Sequence, residues 1–150
     1  ISTKMPLMNW AEIAKDFPLA YETWMESGED IMEYVKKFGI VAYLYDPSVT
    51  GQGWMWEVKY LDRGWNVVSA CDAVVTTEEH AYFRMMWRIF HVIENNDSIT
   101  MSDYKKADKD FTPEDWKKAV KEVDGLMSMY TKAAVRRHKR NKWFAKKGMK

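Results

Sequence analysis

The middle of this chain decides its fold, because residues 54–61 read WMWEVKYL. Alternate positions of this run give a predicted strand one almost wholly aromatic face: Trp54, Trp56, Val58 and Tyr60. Residues 40–45 and 65–75 are also rich in β-branched and aromatic side chains, which is typical of strands. Since only short connections at 46–53 and 62–64 separate the three segments, we expect a three-stranded antiparallel meander.

A helix that ends near Glu94 should cover this sheet. The run Thr76-Thr77-Glu78-Glu79 offers a capping box at its start, and apolar residues then fill a broad arc of the helix. This arc is wider than one sheet face can bury, so we expect contacts with other helices as well. The aromatic strand face, with Trp65 across the hairpin, either packs as core beneath the helix, which we favour, or lines a pocket for a flat ligand.

Residues 9–38 are predicted to form three helices that precede the sheet. Asn9 can cap the first helix, Pro18 suits the first turn of the second, and Gly39 follows the third. Helices followed by an antiparallel meander define the α+β class. We therefore assign residues 1–95 to an α+β core domain.

The remaining third of the chain is predicted to be a linker and a long helix. Residues 96–111 are polar and read as a linker, whereas Thr112-Pro113-Glu114-Asp115 is a strong helix start. Gly125 costs a helix about 1 kcal/mol relative to Ala, which is too little to interrupt one that packs along one side. We expect residues 112–150 to form a C-terminal helix that continues to about Arg140 and ends in a basic tail.

Charge is divided unevenly between the body and this tail, although the formal net charge is only +1. Residues 132–150 contain nine Lys or Arg and no Asp or Glu, so the tail carries +9. The 14 basic and 22 acidic residues that remain give residues 1–131 a charge of −8. The distribution of charge therefore points to an anionic partner, which the net charge alone would not.

The tail is the predicted partner-binding site, because Arg and aromatic side chains are characteristic of binding hot spots. Its candidate residues are Arg136, Arg137, Lys139, Arg140, Lys142, Trp143, Phe144, Lys146 and Lys147. Over residues 132–147, RNA, an anionic phospholipid surface and an acidic protein surface all suit this composition. The chain's own acidic body is a further candidate, and a simply solvated charge run is the alternative without a partner.

Sequence patterns for catalysis, metals and cofactors are weak. On one helix His80 and His91 would lie about 16 Å apart, too far to share a metal. His138 falls in the basic tail, and Cys71 has no base or cation placed beside it by the sequence. We expect neither an enzyme nor a metal or cofactor site.

Compartment is constrained only by simple features. A single cysteine excludes an intramolecular disulfide, and no apolar run is long enough to span a bilayer. The chain begins at Ile1 rather than Met, which is compatible with a removed presequence. We therefore expect an intracellular protein, with the mitochondrion as a candidate compartment.

The end of the chain resembles the closing helix of the small matrix-side subunit of mitochondrial quinol–cytochrome c reductase. The likeness rests on Thr112-Pro113-Glu114-Asp115-Trp116-Lys117, Tyr130, Val135, Arg136, Arg140 and Trp143. That family is all-helical, whereas a β-meander precedes the helix here, so the resemblance assigns no family. A meander followed by such a helix is also similar to small phage proteins.

Aromatic residues exceed what one core of this size needs, with eight Trp, eight Tyr and six Phe. Such residues are enriched at protein interfaces, although a core that simply uses them is an equally open alternative. The sequence predicts a non-catalytic accessory or structural subunit of a larger assembly, such as an organellar energy-transducing or ribosomal complex. The second hypothesis is a small nucleic-acid-binding or phage-type regulatory protein that uses the basic aromatic tail.

Overall fold

The computed structural model describes residues 8–71 and 77–126, and every structural statement below refers to these residues. They form an α+β fold, as predicted, with a three-stranded antiparallel sheet and flanking helices. In chain order the elements are α1 (Trp10–Asp16), α2 (Pro18–Ser27), α3 (Ile31–Lys36), β1 (Val41–Tyr45), α4 (Pro47–Thr50), β2 (Met55–Leu61), β3 (Val67–Cys71), α5 (Glu78–Glu94), α6 (Met101–Ala107) and α7 (Pro113–Gly125).

Local capping signals place the three N-terminal helices where the sequence predicted them. The Asn9 side chain accepts a hydrogen bond from the Glu12 amide at the start of α1. Pro18 occupies the first turn of α2, which ends at Gly28 with a left-handed φ of 65°. Asp30 caps α3 by accepting a hydrogen bond from the Met32 amide.

The sheet has the order β1-β2-β3, so the predicted meander is confirmed. Its register pairs Lys59 of β2 with Val41 of β1 and with Ser69 of β3. The third strand begins at Val67 rather than at Trp65, because Trp65 lies in the turn with a left-handed φ of 64°. The connection from β1 to β2 also contains the short helix α4, which the sequence analysis did not predict.

The main core lies between one sheet face and α5. Trp56, Val58 and Tyr60 are buried on this face and belong to one apolar cluster with the inner side of α5. Helices α1 and α2 pack on α5 as well, since the rings of Trp10 and Trp24 lie 6.2 and 6.0 Å from the ring of Phe90. The expected second contact surface of α5 is therefore present.

The opposite face of β2 is also buried, although it carries Met55, Glu57 and Lys59. Helix α7 packs against β1 and β2 and contributes to this cover. Strand β2 is consequently the centre of the structure, with helices on both sides. This second layer explains how a strand with two charged residues becomes fully enclosed.

The predicted linker, 96–111, contains a regular helix. Thr100 and Asp103 form a capping box at the start of α6, and Ser98 pairs with Asp62 in an isolated β-bridge. From α6, the Tyr104 ring stacks on the ring of Phe111 at 4.8 Å. The sequence analysis did not predict this helix, whereas the division of the chain into domains stays a prediction.

Helix α7 begins as predicted but ends earlier. Thr112 and Asp115 form a capping box at its start, with Pro113 at the first position. The helix ends at Gly125, and Leu126 is extended with φ −83° and ψ 121°. The predicted continuation of the helix through Gly125 was therefore wrong, and the rest of that prediction, towards Arg140, lies outside the described residues. Gly has poor helix propensity, and Lys59 binds the backbone carbonyls at this end, which stabilises a helix end here.

Candidate functional site

A cavity of about 440 Å³ opens between the sheet and helices α1 and α5. It is lined by Glu12, Trp56, Ala70, Cys71, Phe83, Arg84, Trp87 and Arg88. This volume falls within the range of small-molecule sites, roughly 300–1,000 Å³. Its walls combine aromatic rings with charged side chains, so we treat it as the candidate binding site.

Helical spacing explains why these residue types meet at the cavity. Arg84 and Arg88 are four residues apart on α5, so both lie on the same side of the helix. Phe83 and Trp87 have the same spacing and form a neighbouring aromatic row. Ala70, a small residue on β3, lines the wall formed by the sheet.

The Trp87 ring is held at the rim of the cavity by α1. It is 37% exposed, and its Nε1 donates a hydrogen bond to Asp16 Oδ2 at 3.3 Å. The ring meets Phe17 edge-on at 5.1 Å and lies 5.2 Å from the ring of His91. Trp87 is thus an exposed aromatic side chain whose orientation is fixed from one side.

Among the described residues that line the cavity, two N–H groups are buried without a hydrogen-bond partner. They are the indole Nε1 of Trp56 and the guanidinium Nε of Arg88. Trp56 is only 5% exposed, so water reaches its indole poorly. A buried donor without an acceptor costs about 1–3 kcal/mol, and most buried donors in native proteins are paired.

Charged side chains from α1 and α5 line the cavity. Among the described lining residues, Arg84 and Arg88 carry positive charge and Glu12 carries negative charge. Glu12 lies in the first turn of α1, and its Oε2 accepts a hydrogen bond from Asn9 Nδ2 at 3.4 Å. The described wall of the cavity therefore combines charges of both signs with aromatic rings.

A second group of buried polar side chains lies on the other sheet face. Glu57 is fully buried, and it accepts hydrogen bonds from the Tyr45 hydroxyl at 3.0 Å and the Ser69 hydroxyl at 2.9 Å. Lys59 Nζ donates to the carbonyls of Asp124, at 2.8 Å, and of Leu126. This group joins the sheet to the end of α7, so its evident role is structural.

Burial sets the protonation behaviour of Lys59. It lowers the pKa of the ammonium group below its usual value, because the charged form loses hydration. The nearby Glu57 carboxylate opposes this effect by favouring the ammonium form. The Tyr43 ring, centred 5.5 Å from Nζ, adds a cation–π contact.

The candidate catalytic residues of the sequence analysis do not come together. Cys71 is half-buried at the end of β3 and lines the cavity, where it lies opposite Glu57 in the strand register. His80 is exposed, while the ring of His91 contacts Trp87 and Asn95 instead. Within 8–71 and 77–126, no group of three or more His, Cys, Asp or Glu residues could hold a metal ion.

The predicted partner site cannot be placed in this structure. His138 and all nine candidate tail residues, Arg136, Arg137, Lys139, Arg140, Lys142, Trp143, Phe144, Lys146 and Lys147, lie outside the described residues. Residues 132–147 therefore remain a sequence-based prediction. In the described part of the chain, no helix is long and apolar enough to cross a membrane.

The aromatic strand face behaves partly as predicted. Trp56 and Tyr60 pack as core beneath α5, and Trp56 also lines the cavity, so both interpretations of this face hold in part. Trp65 does not join it, because it lies in the hairpin turn and contacts Tyr104 edge-on at 5.1 Å. Among the described aromatic residues only Trp65 and Trp87 are exposed, so most of the apparent aromatic surplus is internal packing.

Sequence reasoning did not identify Arg84 and Arg88 as candidate site residues. Their four-residue spacing beside Phe83 and Trp87 was the available signal. It also missed the burial of Glu57 and Lys59. Because these two residues alternate with the aromatic ones, the sequence indicated that they lie on a solvent-exposed face of β2. No local pattern predicted that helix α7 covers this face.

No protein-family model, no curated protein and no solved structure matches this chain. What the protein does must therefore be inferred from its own residues.

Proposed function

We propose that this protein is a non-catalytic accessory subunit of a larger macromolecular assembly. It docks on a protein partner through the hairpin patch, which consists of Trp65 in the β2–β3 turn and Val67 at the start of β3. The observation that carries this proposal is Trp65, which is 49% exposed and has a left-handed backbone conformation.

A tryptophan at this position is energetically unfavourable for the isolated chain. A residue with a Cβ atom in the left-handed region costs about 1–2 kcal/mol, whereas Gly or Asn fits there more easily. The ring also stays half in solvent. Strain of this kind is concentrated at functional sites, and Trp is among the residues most enriched in binding hot spots.

The surroundings fix the orientation of Trp65 before any partner binds. Its ring packs edge-on against Tyr104 of α6 at 5.1 Å. Arg63, in the same turn, forms an ion pair with Asp103 at 2.9 Å and donates a hydrogen bond to the Asn96 carbonyl at 2.9 Å. An anchor that is already ordered loses less conformational entropy on binding.

Val67 extends the apolar surface onto an edge of the sheet. It is 44% exposed and begins β3, which lies at one end of the strand order β1-β2-β3. Edge strands present backbone N–H and C=O groups that a partner chain can pair with. An exposed anchor beside such an edge supports docking on a protein rather than on a small molecule.

The proposal is tested by asking whether the native protein migrates with a large assembly and whether Trp65 is needed. In Trp65→Asn the new residue tolerates the left-handed backbone, so the fold is retained, and we expect the protein to leave the assembly. Leu19→Asn is the matched control, since Leu19 is 69% exposed on α2 and lies outside the patch. Migration of the wild-type protein as a monomer, or equal retention of both variants, would refute the proposal.

The second candidate function is nucleic-acid binding through residues 132–147. It is supported by eight basic residues and the Trp143-Phe144 pair in a segment without acids. It predicts binding to single-stranded RNA that weakens steeply with salt and disappears on truncation after Tyr130. Binding that survives this truncation would eliminate the candidate.

A further inference from the structure

The outer face of the sheet, which is the face turned away from α5, is buried unevenly. On β2, Met55 is 1% exposed and Glu57 is fully buried. On β3, Ser69 and Val67 belong to the same face and are both exposed. A side chain on a sheet becomes fully buried only where another layer lies over it. A second layer must therefore lie over β2 at Met55 and Glu57.

Helix α7 supplies only part of that layer. In the described part of the chain, the helices with extensive contacts to β2 are α5, on the inner face, and α7. At its start Trp116 lies beside Gly39, since a Cβ atom built on Gly39 would be 3.1 Å from the Trp116 ring. Because β1 and β2 are antiparallel, Gly39 lies level with the end of β2. At its last turn the Asp124 carbonyl binds Lys59 Nζ at 2.8 Å, so α7 ends about 7 Å of strand before Glu57.

The chain beyond α7 begins where the remaining layer is needed. Lys59 Nζ also binds the carbonyl of Leu126, so residue 127 starts directly over β2. Residues 127–150, which lie outside the described residues, contain nine basic and no acidic residues, and this charge complements the Glu57 carboxyl group. The first residues of this segment also carry apolar side chains at the spacing of one helix face: Met127, Tyr130 and Ala134.

We propose that residues 127–135 dock on the outer face of the sheet, beyond the end of α7. Their apolar side chains contact Met55 and the rings of Tyr43 and Tyr45, which share this face and stack with centres 6.1 Å apart. The contact completes the burial of β2 on its second side. It also attaches the start of the basic tail to the body of the protein.

The chain's own segment fits this face better than a second copy or another protein. Residue 127 is joined to Leu126, whose carbonyl already lies at the edge of the face, so closing the intervening loop costs little entropy. A separate chain would lose its translational and rotational freedom on binding to the same face. The covalent link also gives the segment a high effective concentration at this position.

Methyl NMR on the full chain tests the proposal, because two buried methionines report on opposite sides of the sheet. Met55 lies on the outer face, whereas Met86, which is 0% exposed, lies in the core beneath α5. Each methyl resonance is identified by its loss in Met55→Leu or Met86→Leu. We expect nuclear Overhauser contacts between the Met55 methyl group and the Tyr130 ring within one chain. Absence of any such contact from Met55 to residues 127–135 would overturn the proposal. Contacts found only between chains, in a mixture of labelled and unlabelled protein, would assign the face to a second copy and would overturn it as well.

A pair of substitutions tests the docking from the side of the segment. Tyr130→Asp removes the aromatic contact and brings a second carboxylate towards Glu57, so it should release the segment. A soluble paramagnetic agent should then broaden the Met55 methyl resonance and leave that of Met86 unchanged. Ser128→Asp is the matched control, because it adds the same charge at a position off the apolar stripe, and Met55 should stay protected.

Equal protection of Met55 in Tyr130→Asp and the wild type would overturn the proposal, and so would equal broadening in Tyr130→Asp and Ser128→Asp. Broadening of Met86 together with Met55 would show that Tyr130→Asp unfolds the protein. The contacts measured in the wild-type chain then decide the question, because they need no substitution at Tyr130.

Discussion

Lys59→Met should detach the end of α7 from the sheet. In the wild-type protein the ammonium group donates hydrogen bonds to the carbonyls of Asp124 and Leu126, while its stem is buried among the sheet and helix. These carbonyls belong to the C-terminal turn of the helix, where positive charge is favourable. Methionine has a similar length and fills the same space, so the substitution removes the charge and the donors with little change in packing.

The magnitude follows from two opposing contributions. Hydrogen bonds from a charged group contribute about 1.5–3 kcal/mol each, and two are lost. Burial of the ammonium costs several kcal/mol, and this cost disappears in the variant. Asp124 and Leu126 are exposed residues, so water can partly replace the hydrogen bonds that their carbonyl groups lose in the variant. We therefore expect the free energy of unfolding to fall by about 2 kcal/mol.

Urea denaturation followed by circular dichroism measures this loss, and hydrogen exchange locates it. Exchange should increase at the amides of α7 and much less at those of α5. Lys117→Met is the matched control, because Lys117 is exposed on α7 and, within the described part of the chain, forms an ion pair only with Glu114, at 3.3 Å. That variant should change stability by about 0.5 kcal/mol or less. A neutral or stabilising effect of Lys59→Met would refute the conclusion that Lys59 holds α7.

Two further predictions concern a glycine and an acid. Gly39→Ala should lower the free energy of unfolding, measured by urea denaturation, by about 3 kcal/mol, since φ is +69° and the new Cβ would lie 2.9 Å from the Ile99 carbonyl oxygen. Gly28→Ala is the control: φ is +65° there but the Cβ meets no other atom, so the loss should be about 1 kcal/mol. Equal losses in the two variants would contradict the predicted clash at Gly39. Burial raises the pKa of Asp103, but hydrogen bonds from Thr100 and the Arg63 guanidinium outweigh this effect and hold its pKa below the usual 3.8. The ionised Asp103 side chain therefore stabilises the folded protein above pH 3.8, and this stabilisation is lost as the pH falls through the lower pKa of the folded state. Asp103→Asn should flatten this part of the curve of unfolding free energy against pH, and an unchanged curve would contradict the prediction.

The elements with local causes were predictable from sequence. The aromatic alternation of residues 54–61 specified a strand, and Asn9, Pro18 and Thr112 marked helix starts through contacts with their immediate neighbours. Helix α6 also had a local signal, the Thr100–Asp103 capping box, which its lysine- and aspartate-rich surroundings obscured. Local patterns are therefore reliable here where the stabilising partner lies within a few residues.

The features that failed depend on partners far along the chain. The end of α7 is bound by Lys59, more than sixty residues earlier, so the propensity of Gly125 alone could not predict it. The contact of Trp65 with Tyr104 requires α6 to fold beside the hairpin. The cavity forms only where α1, the sheet and α5 meet, so no single residue such as Trp56 or Arg88 predicts it from the sequence.

The hairpin patch and the cavity are separate enough to be tested as independent sites. Five residue steps of β2 separate Trp56 from Leu61, about 17 Å of strand, and Trp65 lies beyond Leu61. Effects of substitutions at such distances usually add. Trp56→Phe should therefore leave the protein in its assembly. Its loss from the assembly would show that the cavity and the hairpin patch are coupled, and the strand β2 between them would be the element that couples them.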